Sequence, residues 1–165
     1  MEKFDKNIYI DGSCLNIGTK DSMSGWSFIV VDNKSDKILE EKFGKIEKGV
    51  TNSAKAELEA LYQVLKWIKQ SDNTEEKYMI YTDHEVIVGS LEGECRRNGS
   101  RGYWEVIEPL CAELVGKFSI CHVKSHIYDS EDRNHKYNNY VDKLAKKGAN
   151  SLILKAIKER TEQII

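Results

Sequence analysis

The sequence predicts an α/β domain built on a five-stranded mixed sheet, three antiparallel strands followed by two parallel ones, with helices on both faces. Three observations lead there. Three β-rich segments joined by short turns open the chain. The apolar period then switches to helical spacing near Ser53. Two later strands are each reached through a helix, which is how parallel strands are added to a sheet.

The first strand is Asn7-Ile8-Tyr9-Ile10-Asp11, alternating and stopped by Gly12-Ser13. The second, Gly25 to Val31, ends at Asp32-Asn33, and the third runs from Ile38 to Ile46. The loop Asp32 to Lys37 between them suits a hairpin. Gly44 inside the third strand is expected to mark a bulge. From Ser53 to Lys69, Leu58, Leu61, Leu65 and Ile68 recur at helical spacing, and Thr51, Asn52 and Ser53 all offer an N-cap oxygen. Lys77 to Thr82 is a short buried strand ending at Asp83. Glu85 to Leu91 reads as a short helix, and 93–102 as a Gly- and Arg-containing loop. Tyr103 to Val115 reads as a helix that Pro109 kinks or divides. Phe118 to Val123 is the fifth strand. Asn138 to Ala149 is helical, and a further helical stretch, Leu152 to Ile164, follows Asn150. Tyr9, Tyr78 and Tyr81 alternate with apolar residues and are read as packing. Trp104 is read as core rather than as the lining of a nucleic-acid groove.

The 165 residues suit one domain, able to bury roughly 70% of its unfolded surface without a disulfide or metal staple. Residues 1–150 form that domain, and 151–165 a C-terminal helical extension packed on it. Lys and Arg number 25 against 27 Asp and Glu, a formal charge of −2, which excludes a generally basic coat but not a local basic patch. Apolar runs are short and broken by charge, so no membrane span is expected. The N-terminus has no apolar h-region, and a cytoplasmic location is expected. Cys14, Cys95, Cys111 and Cys121 show no CxxC spacing and are read as free thiols, some of them buried.

Four carboxylates occupy unusual places. Asp11 and Asp83 each end a strand, where ligands bind in open α/β sheets, and they converge if those strands are neighbours. Glu57 borders the apolar face of its helix, and Asp142 sits beside Val141, Leu144 and Ala145. A carboxylate in such a place is costly unless it is paired or holds a cation. Oxygen-only ligands favour Mg²⁺ or Mn²⁺ over zinc, and two such ions about 4 Å apart can activate water in phosphodiester cleavage. Taken singly, a strand-terminal Asp is more often a turn former and a helix Glu more often solvated. The coincidence of four is what argues for a site.

The pieces Ile-Asp11-Gly-Ser-Cys14, Gly25-Trp-Ser-Phe-Ile, Thr51-Asn-Ser-Ala-Lys-Ala-Glu57-Leu, Tyr-Thr-Asp83, Val-Lys-Ser-His126 and Asn138-Asn-Tyr-Val-Asp142-Lys-Leu-Ala occur in this order on matching elements. In this the chain resembles type 1 ribonuclease H from about Ile8 to Ala149. The resemblance implies the ribonuclease H-like fold. It implies that Asp11, Glu57, Asp83 and Asp142 bind two Mg²⁺ or Mn²⁺ ions, and that the RNA strand of an RNA–DNA hybrid is cut to 5′-phosphate and 3′-hydroxyl ends. It makes His126 the loop histidine that assists proton transfer or product release, and Asn138 a helix-start residue that orders that loop. Gly12, Ser13 and Asn16 fall where the family contacts the RNA strand, whose 2′-hydroxyl distinguishes it from DNA.

The chain departs from the family in several places. The stretch between His126 and Asp142 is longer and carries Asp129, Glu131 and Asp132, and His135 rivals His126. His84 and Glu85 follow Asp83 where small or amide residues are common. Ala54 replaces a frequent Asn. The basic protrusion is trimmed to Arg96, Arg97 and Arg101, which either grip phosphates or are simply solvated. A monomer is expected, with the amphipathic C-terminal helix packing on the domain or contacting a protein partner. Alternatives to an autonomous nuclease are a domain of a larger reverse-transcriptase-like protein and a non-catalytic hybrid-binding module.

Overall fold

The structure, a computed structural model, describes residues 3–15, 23–46, 52–71, 75–91, 101–125 and 127–164; at 101 and 151–164 it describes the backbone. Its elements are β1 (Lys6–Leu15), β2 (Met23–Asp32), β3 (Ile38–Ile46), α1 (Ser53–Gln70), β4 (Tyr78–Thr82), α2 (Glu85–Leu91), α3 (Arg101–Glu113), β5 (Phe118–His122) and α4 (Arg133–Ile164). The strands lie in the order β3-β2-β1-β4-β5. β1 pairs antiparallel with β2 and β2 with β3, while β1–β4 and β4–β5 are parallel. This is the mixed sheet the sequence predicts.

Alternation along β1 sorts its side chains between two cores. Ile8 and Ile10 join Phe28, Val30 and Ile80 under α1, whose Leu58, Leu61, Val64, Leu65 and Ile68 complete that layer together with Trp104 and Ile107 of α3. Burying each large aliphatic chain contributes about 1.5–3 kcal/mol. Tyr9 faces the other way and packs with Ile29, Val31, Val141 and Leu144 of α4. Its ring stacks on Tyr81 at 5.0 Å and tilts against Tyr137 at 5.1 Å. Asn52 caps α1, its side chain accepting from the Lys55 N–H at 2.8 Å.

Four expectations need correction. Gly44 marks no bulge: pairing runs regularly through Trp26↔Gly44, and the register instead shifts between Val30↔Glu40 and Val31↔Ile38, setting Leu39 outside the ladder. Gly44 is small because a Cβ there would lie 2.9 Å from the Trp26 ring, and its backbone in turn keeps Gly148 of α4 small, where a Cβ would lie 2.6 Å from the Gly44 carbonyl oxygen. α3 runs through Pro109 undivided and ends at Glu113, short of Val115, and Gly116 in the turn that follows has φ +81°. α4 starts at Arg133, not Asn138, because Asp132 caps it: its Oδ1 accepts from the Asn134 N–H at 2.8 Å. The same helix continues through Asn150 without a break. A 32-residue helix spans about 48 Å.

Cys14, Cys111 and Cys121 are free thiols, each half-buried rather than buried, and Cys95 lies outside the described residues. No helix among the described residues is long and apolar enough to cross a membrane.

Candidate active site

Register builds the site. The parallel pairing of β1 with β4 ends at Tyr9↔Tyr81. Two residues further on each strand stand Asp11 and Asp83. The two acids are therefore neighbours by strand geometry alone. Asp11 does not end its strand: β1 continues beside β2 to Leu15, and Asp11 pairs with Ser27. β4 is the strand that stops, so the two acids occupy a notch where β1 has lost its parallel neighbour.

Glu57 enters this notch from α1. A Cβ on Gly12 would lie 2.2 Å from the carbonyl carbon of Ala56 and 2.3 Å from the Glu57 nitrogen, so only glycine lets helix and strand approach this closely. The Gly12 N–H donates to Glu57 Oε2 at 2.7 Å, and the Thr82 hydroxyl donates to Oε1 at 2.8 Å. Both oxygens of a fully buried carboxylate are thus fixed between β1 and β4. The Thr82 oxygen in turn accepts from the His84 N–H at 3.1 Å, which sets the backbone just after Asp83.

Asp11, Glu57 and Asp83 each present an oxygen within 4.8 Å of the others. Asp11 is 3% exposed and Glu57 2%. Burial, the charges of Glu57 and Asp83, a hydrogen bond to Glu57 and the charge of Asp142 all push the Asp11 carboxyl well above the usual carboxylate range. Burial and the Asp83 charge push Glu57 up as well, against the hydrogen bonds from Asp11, Thr82 and Gly12. The cluster therefore takes up either protons or a cation at neutral pH. An all-oxygen, rigidly hydrogen-bonded donor set with excess negative charge fits a hard divalent ion.

Asp142 comes from α4 on the opposite face of the sheet. It is half-buried rather than part of the buried stripe, and it stands outside the three-carboxylate group, near enough for its charge to raise Asp11. Lys146, one turn on, donates to Asp142 Oδ2 at 3.0 Å. The Ser27 hydroxyl, opposite Asp11, donates to the Val141 carbonyl at 2.7 Å and pins α4 just before Asp142. Sequence reasoning missed Ser27, Thr82 and Lys146. Two are small hydroxyl residues inside strands, and the lysine's only signal was its i+4 spacing from an acid.

The other expected residues are placed as follows. Gly12 commits its N–H to Glu57, and Ser13 is 8% exposed. Asn16, Arg96, Arg97 and His126 lie outside the described residues, and Arg101 is described as the first backbone position of α3. Asn138 is buried a turn inside α4 and does not start it, and the adjacent Asn139 bonds the loop, its Nδ2 donating to the Ile127 carbonyl at 2.8 Å. His135 Nδ1 lies 2.8 Å from the Ser130 hydroxyl, and the residue stands about 10 Å along the helix axis from Asp142.

Comparison with known proteins agrees with this geometry. The family model described as RNase H matches residues 3–150. An RNase H1 isolated from compost by a metagenomic approach, solved in complex with an RNA/DNA hybrid, superposes with a TM-score of 0.71 at 19% identity, covering 90% of this chain and 99% of that one. The RNase H1 of the halophilic archaeon Halobacterium salinarum gives 0.68 at 18% identity, covering 88% and 98%. The prototype foamy virus protease-reverse transcriptase gives 0.71 at 16% identity, covering 89% of this chain and 21% of that longer one. A search of curated proteins found no match.

Proposed function

The chain belongs to the RNase H family, and from that premise we propose that it is a ribonuclease H that hydrolyses the RNA strand of RNA–DNA hybrids endonucleolytically, leaving 5′-phosphate and 3′-hydroxyl ends. The observation that carries this reading is the buried Asp11–Glu57–Asp83 cluster, whose oxygens lie within 4.8 Å of one another. The hybrid seen in the complex of the compost RNase H1 supports the substrate class.

Asp11, Glu57 and Asp83, joined by Asp142 from α4, are the residues that would hold two Mg²⁺ or Mn²⁺ ions. Bound there, such ions would lower the pKa of the attacking water and stabilise charge at the leaving oxygen. The protein's own part is positional. Thr82 and the Gly12 N–H keep Glu57 in one orientation. Lys146 restrains Asp142. Gly12, Ser13 and Asn16 are assigned to the RNA strand, where contact with a 2′-hydroxyl selects RNA over DNA. Arg96, Arg97 and Arg101 are assigned to backbone phosphates, and His126 to proton transfer or product release. With a net charge of −2, hybrid binding is modest and salt-sensitive.

The likeness to a reverse transcriptase favours a second reading, in which this is the nuclease domain of a larger protein. Labelled hybrid, double-stranded RNA and double-stranded DNA, incubated with the protein in Mg²⁺ and in Mn²⁺, decide between them. Cutting of the hybrid alone, abolished in Asp83→Asn, supports the autonomous enzyme. Hybrid that is bound but left uncut contradicts it.

A further inference from the structure

The row of β2 side chains that faces α4 tapers toward the carboxylates. Val31 and Ile29 pack with Val141 and Leu144, and Ser27 and Gly25 follow on the same face of the strand. A Cβ on Gly25 would lie 2.3 Å from the Ala145 carbonyl oxygen and 2.3 Å from the Ala149 nitrogen, so there the helix backbone rests directly on the strand. One turn earlier the Ser27 hydroxyl donates to the Val141 carbonyl at 2.7 Å. Val141 and Ala145, four residues apart on one face of α4, thus meet two successive positions of β2. The two contacts fix the height and rotation of the helix, and Asp142 lies between them.

Ser27 stands at the level of the site. Asp11 is its partner across β1 and β2. The residue after Val141 is Asp142, so one hydroxyl ties the chain at Asp142 to the chain at Asp11. Ser27 is fully buried in an otherwise apolar layer. Alanine would fill that place with no polar group to desolvate. The helix does not need the bond either, because the Val141 carbonyl accepts from the Ala145 N–H within α4. What the hydroxyl adds is a fixed distance between two elements that each carry a carboxylate. Asp142 is the acid in want of such a tie, since it stands outside the group that Asp11, Glu57 and Asp83 form.

We infer that Ser27 is a positioning residue, which through Val141 holds Asp142 where it can share a cation with Asp11. This rests on the assignment of Asp142 to the divalent-ion site proposed above and adds the residue that seats it. Removing the hydroxyl loosens Asp142 without removing a ligand.

Calorimetric titration of Mn²⁺ into the metal-free protein tests it, with urea unfolding to establish that each variant is folded. Asp142→Asn is expected to weaken Mn²⁺ binding. Ser27→Ala is expected to weaken it about tenfold, the lower end for a group that orients a metal ligand. In the Asp142→Asn background, Ser27→Ala is expected to change binding less than about twofold, because no fourth carboxylate is left to position. A purely structural serine would lower stability in both backgrounds and leave Mn²⁺ affinity alone. Mn²⁺ binding that is unchanged in Ser27→Ala, or weakened equally in both backgrounds, overturns the inference. Binding that Asp142→Asn leaves unchanged overturns instead the assignment of Asp142 on which it rests.

Discussion

Gly12→Ala carries the sharpest steric consequence. The added methyl would meet the Ala56 carbonyl carbon at 2.2 Å, the Glu57 nitrogen at 2.3 Å and the Ala56 oxygen at 2.6 Å, whereas ordinary contact begins at 3.4 Å. All three atoms are backbone, so no side chain can swing aside. β1 and α1 must separate by about 1 Å, at the upper end of the cost of overpacking, about 3 kcal/mol or more. Separation also stretches the 2.7 Å bond from the Gly12 N–H to Glu57. A catalytic group misplaced by about 1 Å loses about 100-fold in rate. Urea unfolding and hybrid cleavage, both below the variant's melting range, measure the two effects. Gly102→Ala is the control: nothing lies within 4 Å of its Cβ position in the first turn of α3, so stability changes by no more than about 1 kcal/mol, in the stabilising direction. A Gly12→Ala protein as stable and active as the wild type would refute the close-approach argument.

Further outcomes follow from the same hydrogen bonds and charges. Asp11 and Glu57 both have raised folded-state pKa values. Their stabilising share is therefore complete below the unfolded carboxylate pKa, about 4, and is lost as pH rises through the folded values. Each group contributes about 1.4 kcal/mol for every tenfold gain in proton affinity on folding. Urea unfolding in EDTA between about pH 4.5 and 8.5 should show the wild type losing stability relative to Asp11→Asn as pH rises; a wild type that gains stability relative to the variant with rising pH would contradict the burial argument. Thr82→Val removes the donor to Glu57 Oε1 and the acceptor of the His84 N–H. It should cost about 1–3 kcal/mol in stability and lower the cleavage rate, with Thr82→Ser close to wild type.

Much of this was legible in the residues. The five strands and α1 follow from alternation and helical spacing, whereas the placing of β4 beside β1 is visible only in the structure. Asp11 and Asp83 stand out because each follows an apolar strand segment, although Gly12-Ser13 continues the strand rather than ending it. Gly12 is there for α1, not for a turn, and one strand's sequence does not reveal what crosses it. The same applies to Gly148, whose Cβ would meet the backbone of Gly44, 104 positions away by numbering. The start of α4 was missed because Asp132 sits in an acidic run that resembles a solvated loop, while its Oδ1 caps the helix. Lys146 and Ser27 became functional candidates only when Asp142 and Val141 were placed in space.

The central claim is that Asp11, Glu57 and Asp83 form a divalent-cation site. Titration calorimetry of Mn²⁺ into the metal-free protein tests it directly, run in two buffers of different ionisation enthalpy. The expected result is binding with proton release, because carboxyls whose pKa values burial has raised must ionise to ligate, and weaker binding in Asp83→Asn. Absence of binding, or binding that Asp83→Asn leaves unchanged, would contradict the account.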